Sequence, residues 1–330
     1  MFVNRGQIRA KPFYPGQWGV WGSDNGLGLR TVPEGITYYV HSENPNANDQ
    51  HSGTDPEYPM STVLAAYNRT VSGQNDTVVV IGQATAYPIA ATLVWANSYT
   101  HFVGVSAPLH GVGQRVRLVA SAAAAATPVV SITGSGCIFQ NVQINNEHAA
   151  AADSGAVELT GDRCYFENVF FAGMVSGAAA ARAGSFSLKL TGAHENLFEN
   201  CTIGLDTVVR AAANSELIHQ EGSSKNTYEN CNFYSASETN GKFMVHFLTS
   251  VAPQGLTSFR NCLFYNNSVN WAVEIDFCFN ITGPQATYYI DVDTNCRLMG
   301  IEKWSNVNTH VYVYGAVAAA GTGIRQTPTA

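Results

Sequence analysis

The chain has 330 residues, of which only 12% are charged, and its formal net charge is −7. Proteins that bind nucleic acid normally carry a basic surface, so this balance argues against nucleic acid as a partner. The apolar runs are far shorter than a membrane-spanning helix, so we expect no membrane partner either. The first residues lack the apolar core of a secretory signal, and we therefore expect assembly in a reducing cytoplasm.

Residues 1–36 differ in composition from the rest of the chain. They contain three prolines, seven glycines and the aromatic residues Phe13, Tyr14, Trp18 and Trp21. A disordered leader is the simplest interpretation, but such leaders are normally poor in aromatic residues. Aromatic side chains on an arm are better explained as anchors that become ordered when the arm binds a partner. We therefore predict that residues 1–36 form a docking arm.

A six-residue pattern recurs five times between Phe139 and Phe264. Its first position is aromatic, its third is always Asn, and its fourth and sixth are apolar. The third positions are Asn141, Asn168, Asn200, Asn230 and Asn261, at intervals of 27, 32, 30 and 31 residues. A period of this length indicates a solenoid, in which each repeat buries its apolar face against its neighbours.

The spacing within this hexad fits two short strands that meet at a corner rather than a helix. Asn suits the corner because its short polar side chain tolerates left-handed backbone angles. On coils stacked about 4.8 Å apart, these amides are expected to bond to one another as a ladder. A further strand, which ends in Thr-Gly, precedes each of the first three hexads at Gly134, Gly161 and Gly192. The sequence therefore predicts a right-handed, three-faced parallel β-helix in an all-β chain.

The fourth position of the hexad holds three of the cysteines. Cys201, Cys231 and Cys262 occupy it in three copies, and Val142 and Val169 occupy it in the other two. Interchange with valine indicates that the thiol acts as a small hydrophobe. The chain has seven cysteines, an odd number. We predict that these three are buried, free and stacked, and that they form neither disulfides nor a metal cluster.

The repeats resemble the pectate-lyase-like family of right-handed parallel β-helices, over roughly residues 37–315. The resemblance implies that residues 37–40 are a first strand, residues 61–67 a short helix that caps the open barrel end, and residues 76–82 a first full coil. The chain then divides into the arm (1–36), the β-helix (37–315) and an extended C-terminal tail (316–330). One scaffold hosts many functions, so the resemblance is specific for the fold and says little about chemistry.

The sequence shows no catalytic constellation that matches this family. Its galacturonase signatures (Asn-Thr-Asp, Gly-His-Gly and Arg-Ile-Lys) and the pectate-lyase Arg-x-Pro-x-x-Arg run are absent. Glu167, Glu199 and Glu229 share the second position of consecutive hexads, so they predict an acidic stripe that ends at Arg260. We interpret this stripe as an exposed face, with a sugar or cation groove as the alternative. We expect no cofactor and no metal site.

Asp291 and Asp293 alternate along a predicted strand, which places them on one face. Two neighbouring carboxylates could bind a cation. We interpret them as solvated charge.

The fifth position of the hexad points outward and holds Phe170 and Leu263 in two copies. Apolar residues on an outer face indicate contact with another chain, and β-helices commonly bury such a face against copies of themselves. We predict a homotrimer with Phe170 and Leu263 at or near the contact.

These features together resemble bacteriophage and viral structural proteins built on trimeric β-helices. The resemblance implies a capsid decoration or head-spike protein on the exterior of the virion, not an enzyme, which docks on the major capsid protein or another virion protein. A tailspike that binds or cleaves a host surface glycan is the first alternative. A free polysaccharide lyase or hydrolase is the second.

Overall fold

The computed structural model describes residues 35–107, 116–124, 126–148, 155–181, 184–210, 215–220, 222–237, 243–248, 255–267, 275–282, 288–307 and 311–314. In these residues the chain winds through three sheets, and all strand pairs are parallel. Sheet A contains ten strands. In spatial order they are β1 (Thr37–Val40), β2 (Thr77–Ile81), β5 (His101–Val105), β8 (Ile138–Gln140), β11 (Tyr165–Glu167), β14 (Leu197–Glu199), β17 (Thr227–Glu229), β20 (Gly255–Arg260), β23 (Tyr288–Val292) and β26 (Val311–Val313).

Sheets B and C contain eight strands each within the described residues. Sheet B is formed by β3 (Tyr87–Pro88), β6 (Arg117–Ala120), β9 (Gln143–Asn146), β12 (Phe170–Met174), β15 (Thr202–Arg210), β18 (Asn232–Ser237), β21 (Leu263–Asn266) and β24 (Arg297–Met299). Sheet C is formed by β4 (Leu93–Trp95), β7 (Val130–Ile132), β10 (Gly155–Leu159), β13 (Phe186–Thr191), β16 (Ser215–Gln220), β19 (Phe243–Leu248), β22 (Ile275–Thr282) and β25 (Ile301–Ser305). The predicted right-handed, three-faced parallel β-helix is confirmed.

The first position of the hexad builds the interior. Phe139, Phe166, Phe198, Tyr228 and Phe259 are paired in register along sheet A and are at most 2% exposed. Their rings stack in sequence, with centroids 5.4, 4.7, 4.7 and 5.0 Å apart. In-register parallel pairing places equivalent residues one strand spacing apart, so an aromatic repeat in the sequence becomes a continuous ring stack.

A short helix, α1 (Val63–Tyr67), covers one end of the β-helix. The side chain of Thr62 accepts a hydrogen bond from the Ala65 N–H and thereby caps the helix N-terminus. Val63, Ala66 and Tyr67 are buried, and the Tyr67 ring lies 4.4 Å from the ring of Trp95 inside the barrel. The predicted capping helix is therefore present. None of the helices in the described residues is long and apolar enough to span a membrane.

A second short helix, α2 (Gly177–Ala180), lies outside the barrel. Ala180 packs with Met174 at the end of β12 and with Val208 of β15 in a small apolar cluster. The chain thus adds a layer of its own on the outer side of sheet B at these coils.

Candidate functional site

The five corner asparagines lie between sheets A and B. All five have left-handed backbone angles, with φ between 49° and 54°, at Asn141, Asn168, Asn200, Asn230 and Asn261. The Asn168 Nδ2 group donates to Asn141 Oδ1 at 2.8 Å, and Asn261 Nδ2 donates to Asn230 Oδ1 at 2.7 Å. In these two pairs the corner amides bond to each other across neighbouring coils, and all five asparagines turn the chain.

The cysteines of the hexads are buried and free. Cys201, Cys231 and Cys262 are at most 1% exposed. Each thiol donates to a carbonyl of the preceding coil, as Cys231 Sγ does to the Phe198 oxygen at 3.4 Å. Burial raises the pKa of Cys231 and of Cys262 well above the usual thiol value. Because the thiolate is both the nucleophile and the metal ligand, these groups are suited to packing rather than chemistry.

The predicted acidic stripe runs along sheet A. Glu167, Glu199 and Glu229 lie on adjacent strands in register, followed by Arg260. Two of these carboxylates accept hydrogen bonds from the preceding coil. The Gln140 amide donates to Glu167 at 2.5 Å, and the Tyr165 hydroxyl donates to Glu199 at 2.6 Å. These contacts hold the two carboxylates in place on the sheet surface.

Asp291 and Asp293 are likewise bound to neighbouring groups. Asp291 Oδ2 lies 3.7 Å from Nη2 of Arg260 and 3.4 Å from Oγ of Ser258. Asp293 Oδ1 accepts the backbone N–H groups of Asn261 at 3.0 Å and of Cys296 at 3.1 Å. Within the residues that the structure describes, no cluster of three His, Cys, Asp or Glu side chains is placed to hold a metal ion.

The structure corrects one expectation about the outer face of sheet B. Phe170 was expected to be exposed, but it is only 6% exposed in the single chain, and every residue of β12 is buried. Its register partners on the neighbouring strands, Gln143 and Thr202, are also at most 9% exposed, so Phe170 lies in a stretch of sheet B that the chain itself covers. Leu263 is half-buried.

The four aromatic residues predicted for docking, Phe13, Tyr14, Trp18 and Trp21, lie outside the described residues, as does the tail from 316 to 330. What the structure does describe is the root of the arm. The backbone N–H of Ile36 donates to Oδ1 of Asp76 at 2.7 Å, and the Val71 N–H donates to Oδ2 at 2.8 Å. Asp76 is fully buried and thus fixes the chain where it enters the capped end of the barrel.

A buried ion pair was not predicted from the sequence. Arg210 Nε lies 2.6 Å from Glu216 Oε1, and Arg210 Nη2 lies 2.7 Å from Oε2. The Ser187 hydroxyl also donates to Glu216 Oε2 at 2.7 Å. Both charged side chains are at most 2% exposed. Glu216 Oε2 accepts hydrogen bonds from both Arg210 Nη2 and the Ser187 hydroxyl, and these bonds offset part of the cost of removing the ion pair from solvent.

A glycine makes room for this pair. Gly204 has φ of 91°, and a Cβ atom there would lie 2.6 Å from Glu216 Oε2. The isolated glycine inside β15 was the one available signal in the sequence for this close approach. The charged residues themselves lie outside the hexads, so the repeat did not point to them.

Sheet C carries rings and charges on its surface. The rings of Phe243 and Phe277 stack with centroids 6.4 Å apart, and Lys303 Nζ lies 5.5 Å from the centroid of Phe277. Lys189 Nζ is 3.3 Å from Oε1 of Glu158. Flat rings beside cations and a carboxylate offer both apolar and polar contacts to a sugar chain.

No protein-family model and no curated protein sequence matches the chain. Solved structures do match. Escherichia coli YbhC is similar over 99% of this chain and 90% of its own, with a TM-score of 0.51 and 12% identity. A pectin methylesterase in complex with a hexasaccharide covers 86% of this chain and 91% of its own, with a TM-score of 0.48 and 13% identity. The match to a rhamnogalacturonan lyase covers 80% of this chain and 75% of that protein, with a TM-score of 0.48 and 12% identity. At 12% identity, the similarity to YbhC shows a shared fold alone.

Proposed function

We propose that the chain is a structural protein of a bacteriophage virion, a trimeric β-helix that decorates the capsid and docks through residues 1–36. The observation that carries this proposal is the engagement of the carboxylates on sheet A. Glu167, Glu199 and Asp291 are each bonded to a side chain on an adjacent coil. These contacts link each of the three side chains to a neighbouring coil, which supports a role in holding the coils together.

The interior supports a mechanical role. The ring stack, the amide ladder and the buried thiols repeat on successive coils, so each coil fixes the next. A solenoid of this kind is stabilised by nearest-neighbour contacts along its whole length. Such a rod is appropriate for a protein that projects from a particle surface.

The arm supplies the docking element of the proposal. It enters at the end that α1 caps, where buried Asp76 holds Ile36 in place. Four aromatic residues would provide the contact, at Phe13, Tyr14, Trp18 and Trp21. Three arms in one trimer would bind with avidity if the capsid offers matching sites.

Particle binding tests this proposal. A variant in which Phe13, Tyr14, Trp18 and Trp21 are all serine should bind purified particles with an affinity more than about tenfold lower, about 1.4 kcal/mol in binding free energy. The matched control is Tyr58→Ser with Tyr99→Ser, two tyrosines that are 50% and 52% exposed on the β-helix. If the arm variant bound as well as the control, the arm would not be the anchor. Absence of the wild-type chain from particles would overturn the virion assignment.

A second candidate function is binding or depolymerisation of a host polysaccharide, as in a tailspike. The surface of sheet C favours it, because Phe243, Phe277 and Lys303 combine rings with a cation. We expect no product from acidic or neutral polysaccharides incubated with the purified chain. Product that disappears in Glu199→Gln or Asp291→Asn would favour this function, or a free lyase or hydrolase, over the structural one. Retention on a glycan array that is lost in Lys303→Ala, without product, would favour binding alone.

A further inference from the structure

The two ends of the β-helix differ in the part of the chain that the structure describes. Helix α1 covers the end at which the chain enters. At the other end, β24, β25 and β26 are the last strands of their sheets, and within the described residues each is paired on one side only. We call the surface formed by these three strands the terminal face. Leu298 on β24 is half-buried there, whereas its register partner Phe264, one coil earlier, is completely buried.

Two polar groups at the terminal face have no partner among the described residues. Trp304 on β25 is 4% exposed, yet none of these residues accepts a hydrogen bond from its Nε1–H. The carbonyl of Cys296 likewise receives no described donor. On four earlier coils the equivalent carbonyl accepts the N–H of the fifth hexad position of the next coil, as Cys262 O does from Arg297 N at 2.9 Å. Buried polar groups are normally paired, and a free strand edge is a template for a further strand.

The hexad pattern continues past the last described strand. Val313 is the register partner of Val292, which pairs with Phe259, so Val313 stands at the first hexad position. The Tyr314 N–H donates to the Val292 carbonyl at 2.9 Å and repeats the bond from Asp293 to Phe259 one coil earlier, so Tyr314 stands at the second. Positions three to six then fall on the next four residues of the sequence, Gly315, Ala316, Val317 and Ala318.

These four residues meet the requirements of their positions. Glycine adopts left-handed angles without strain, and the five corner asparagines have φ between 49° and 54°. Positions four and six are apolar, as in the other hexads. Alanine is smaller than the residues found there on earlier coils, which suits a last half-coil because its inward side chains are covered on one side only. Terminal repeats of a solenoid are commonly atypical because they cap the array.

The position of Tyr314 makes the chain itself the occupant of the terminal face. Tyr314 lies directly before the corner that leads from sheet A onto β24. The following residues reach β24 over the same number of residues as in a regular hexad, so their effective concentration at this edge exceeds that of any separate partner. We propose that residues 315–318 turn this corner and pair with β24, so that the chain caps its own β-helix.

In this arrangement the Val317 N–H donates to the Cys296 carbonyl, and Ala316 and Ala318 face inward over Cys296 and Leu298. The tail predicted from the sequence then begins at residue 319 rather than 316. Closure of the β24 edge protects this end of the rod from pairing with another chain. The inference does not depend on the proposed function, since any β-helix needs its apolar end covered.

Alkylation of Cys296 in the full-length chain tests the proposal. Cys296 is 6% exposed and lies on the last described coil. Ala316→Asp places a charge at an inward position and should prevent the pairing, so iodoacetamide should label Cys296 at least about tenfold faster than in wild type. The matched control, Val317→Asp, places the same charge at an outward position and should leave the rate unchanged. Peptide mass spectrometry identifies the labelled thiol, and Cys231 should remain unlabelled in all three proteins because it is completely buried.

Three results would overturn the proposal. Equal rates for Cys296 in wild type and Ala316→Asp would mean that residues 315–318 do not cover the terminal face. Faster labelling of the wild-type chain on dilution would show that a second copy covers it. Rapid labelling of the purified chain and slow labelling on particles would show that another virion protein does.

Disulfide trapping decides the question if Ala316→Asp also exposes Cys231 and has therefore unfolded. In-register parallel strands lie about 4.8 Å apart, within the Cα separation of about 4.4–6.8 Å that a disulfide allows. Arg297→Cys combined with Val317→Cys should therefore form a disulfide within one chain on treatment with diamide, a thiol oxidant. The control combines Arg297→Cys with Gln326→Cys and should form at least about tenfold less. Equal yields from the two pairs would show that the segment after Tyr314 is not held on β24.

Discussion

Replacing Asn168 by alanine and by glycine separates the two contributions that a corner asparagine makes to stability. Both substitutions remove the amide that donates to Asn141 Oδ1 at 2.8 Å. They differ in the backbone, because Asn168 has φ of 53°. Alanine is strained at such an angle, and glycine is not.

The magnitudes predict the order of the two variants. Loss of the amide removes one hydrogen bond to the half-buried side chain of Asn141, which costs about 1 kcal/mol in either variant. Alanine adds about 1–2 kcal/mol of left-handed strain. Glycine adds about 0.5–1 kcal/mol of chain entropy in the unfolded state. We therefore expect both variants to be less stable than wild type, and Asn168→Ala to be the less stable of the two by about 0.5–1 kcal/mol.

Equilibrium unfolding in urea gives the free energy of unfolding of each variant. The variants can be compared when this free energy falls with urea concentration at the same slope in each. The control is Ser131, a half-buried residue inside β7 whose backbone is not left-handed. There the order should reverse, so that Ser131→Gly is less stable than Ser131→Ala. If glycine were also the worse substitution at Asn168, the left-handed corner would not be a source of strain. If both Asn168 variants matched wild type, the amide ladder would contribute nothing.

Three further predictions concern buried groups. Because burial raises its pKa, Cys231 should resist alkylation in the native protein and react fully in urea; native labelling would contradict the packed interior. Glu216→Ala should cost about 3–5 kcal/mol in urea unfolding because Arg210 loses its partner, and adding Arg210→Met should restore most of it. Burial lowers the pKa of His101 to about 4. Protons then favour the unfolded state, so stability should fall from pH 6.5 to 4, and less steeply in His101→Gln.

The hexads predicted the interior and the corner because they repeat the same contact on each coil. A single aromatic residue such as Phe166 does not identify a strand. Phe139, Phe166 and Phe198 recur at similar intervals, and together they define the inward face of a strand and its register. The left-handed corner follows from the one position that is Asn in all five copies. Cys201, Cys231 and Cys262 could be placed because they share an inward position with Val142 and Val169 of the other two hexads.

The surfaces could not be predicted in the same way. Periodicity gives the side of the sheet that Phe170 lies on, but not whether other parts of the chain cover that side. Arg210 is the last residue of β15, a strand of nine residues, and Glu216 is the second residue of β16, so neither lies in a hexad. Each of these is a property of an irregular segment rather than of the repeat.

The virion assignment is tested most directly by quantifying the chain in density-purified particles from the culture that produces it. We expect the chain in the particle band, at a ratio to the major capsid protein that stays constant between preparations and after high-salt washing. A chain found only in the soluble fraction, with none in the particle band, would contradict the assignment.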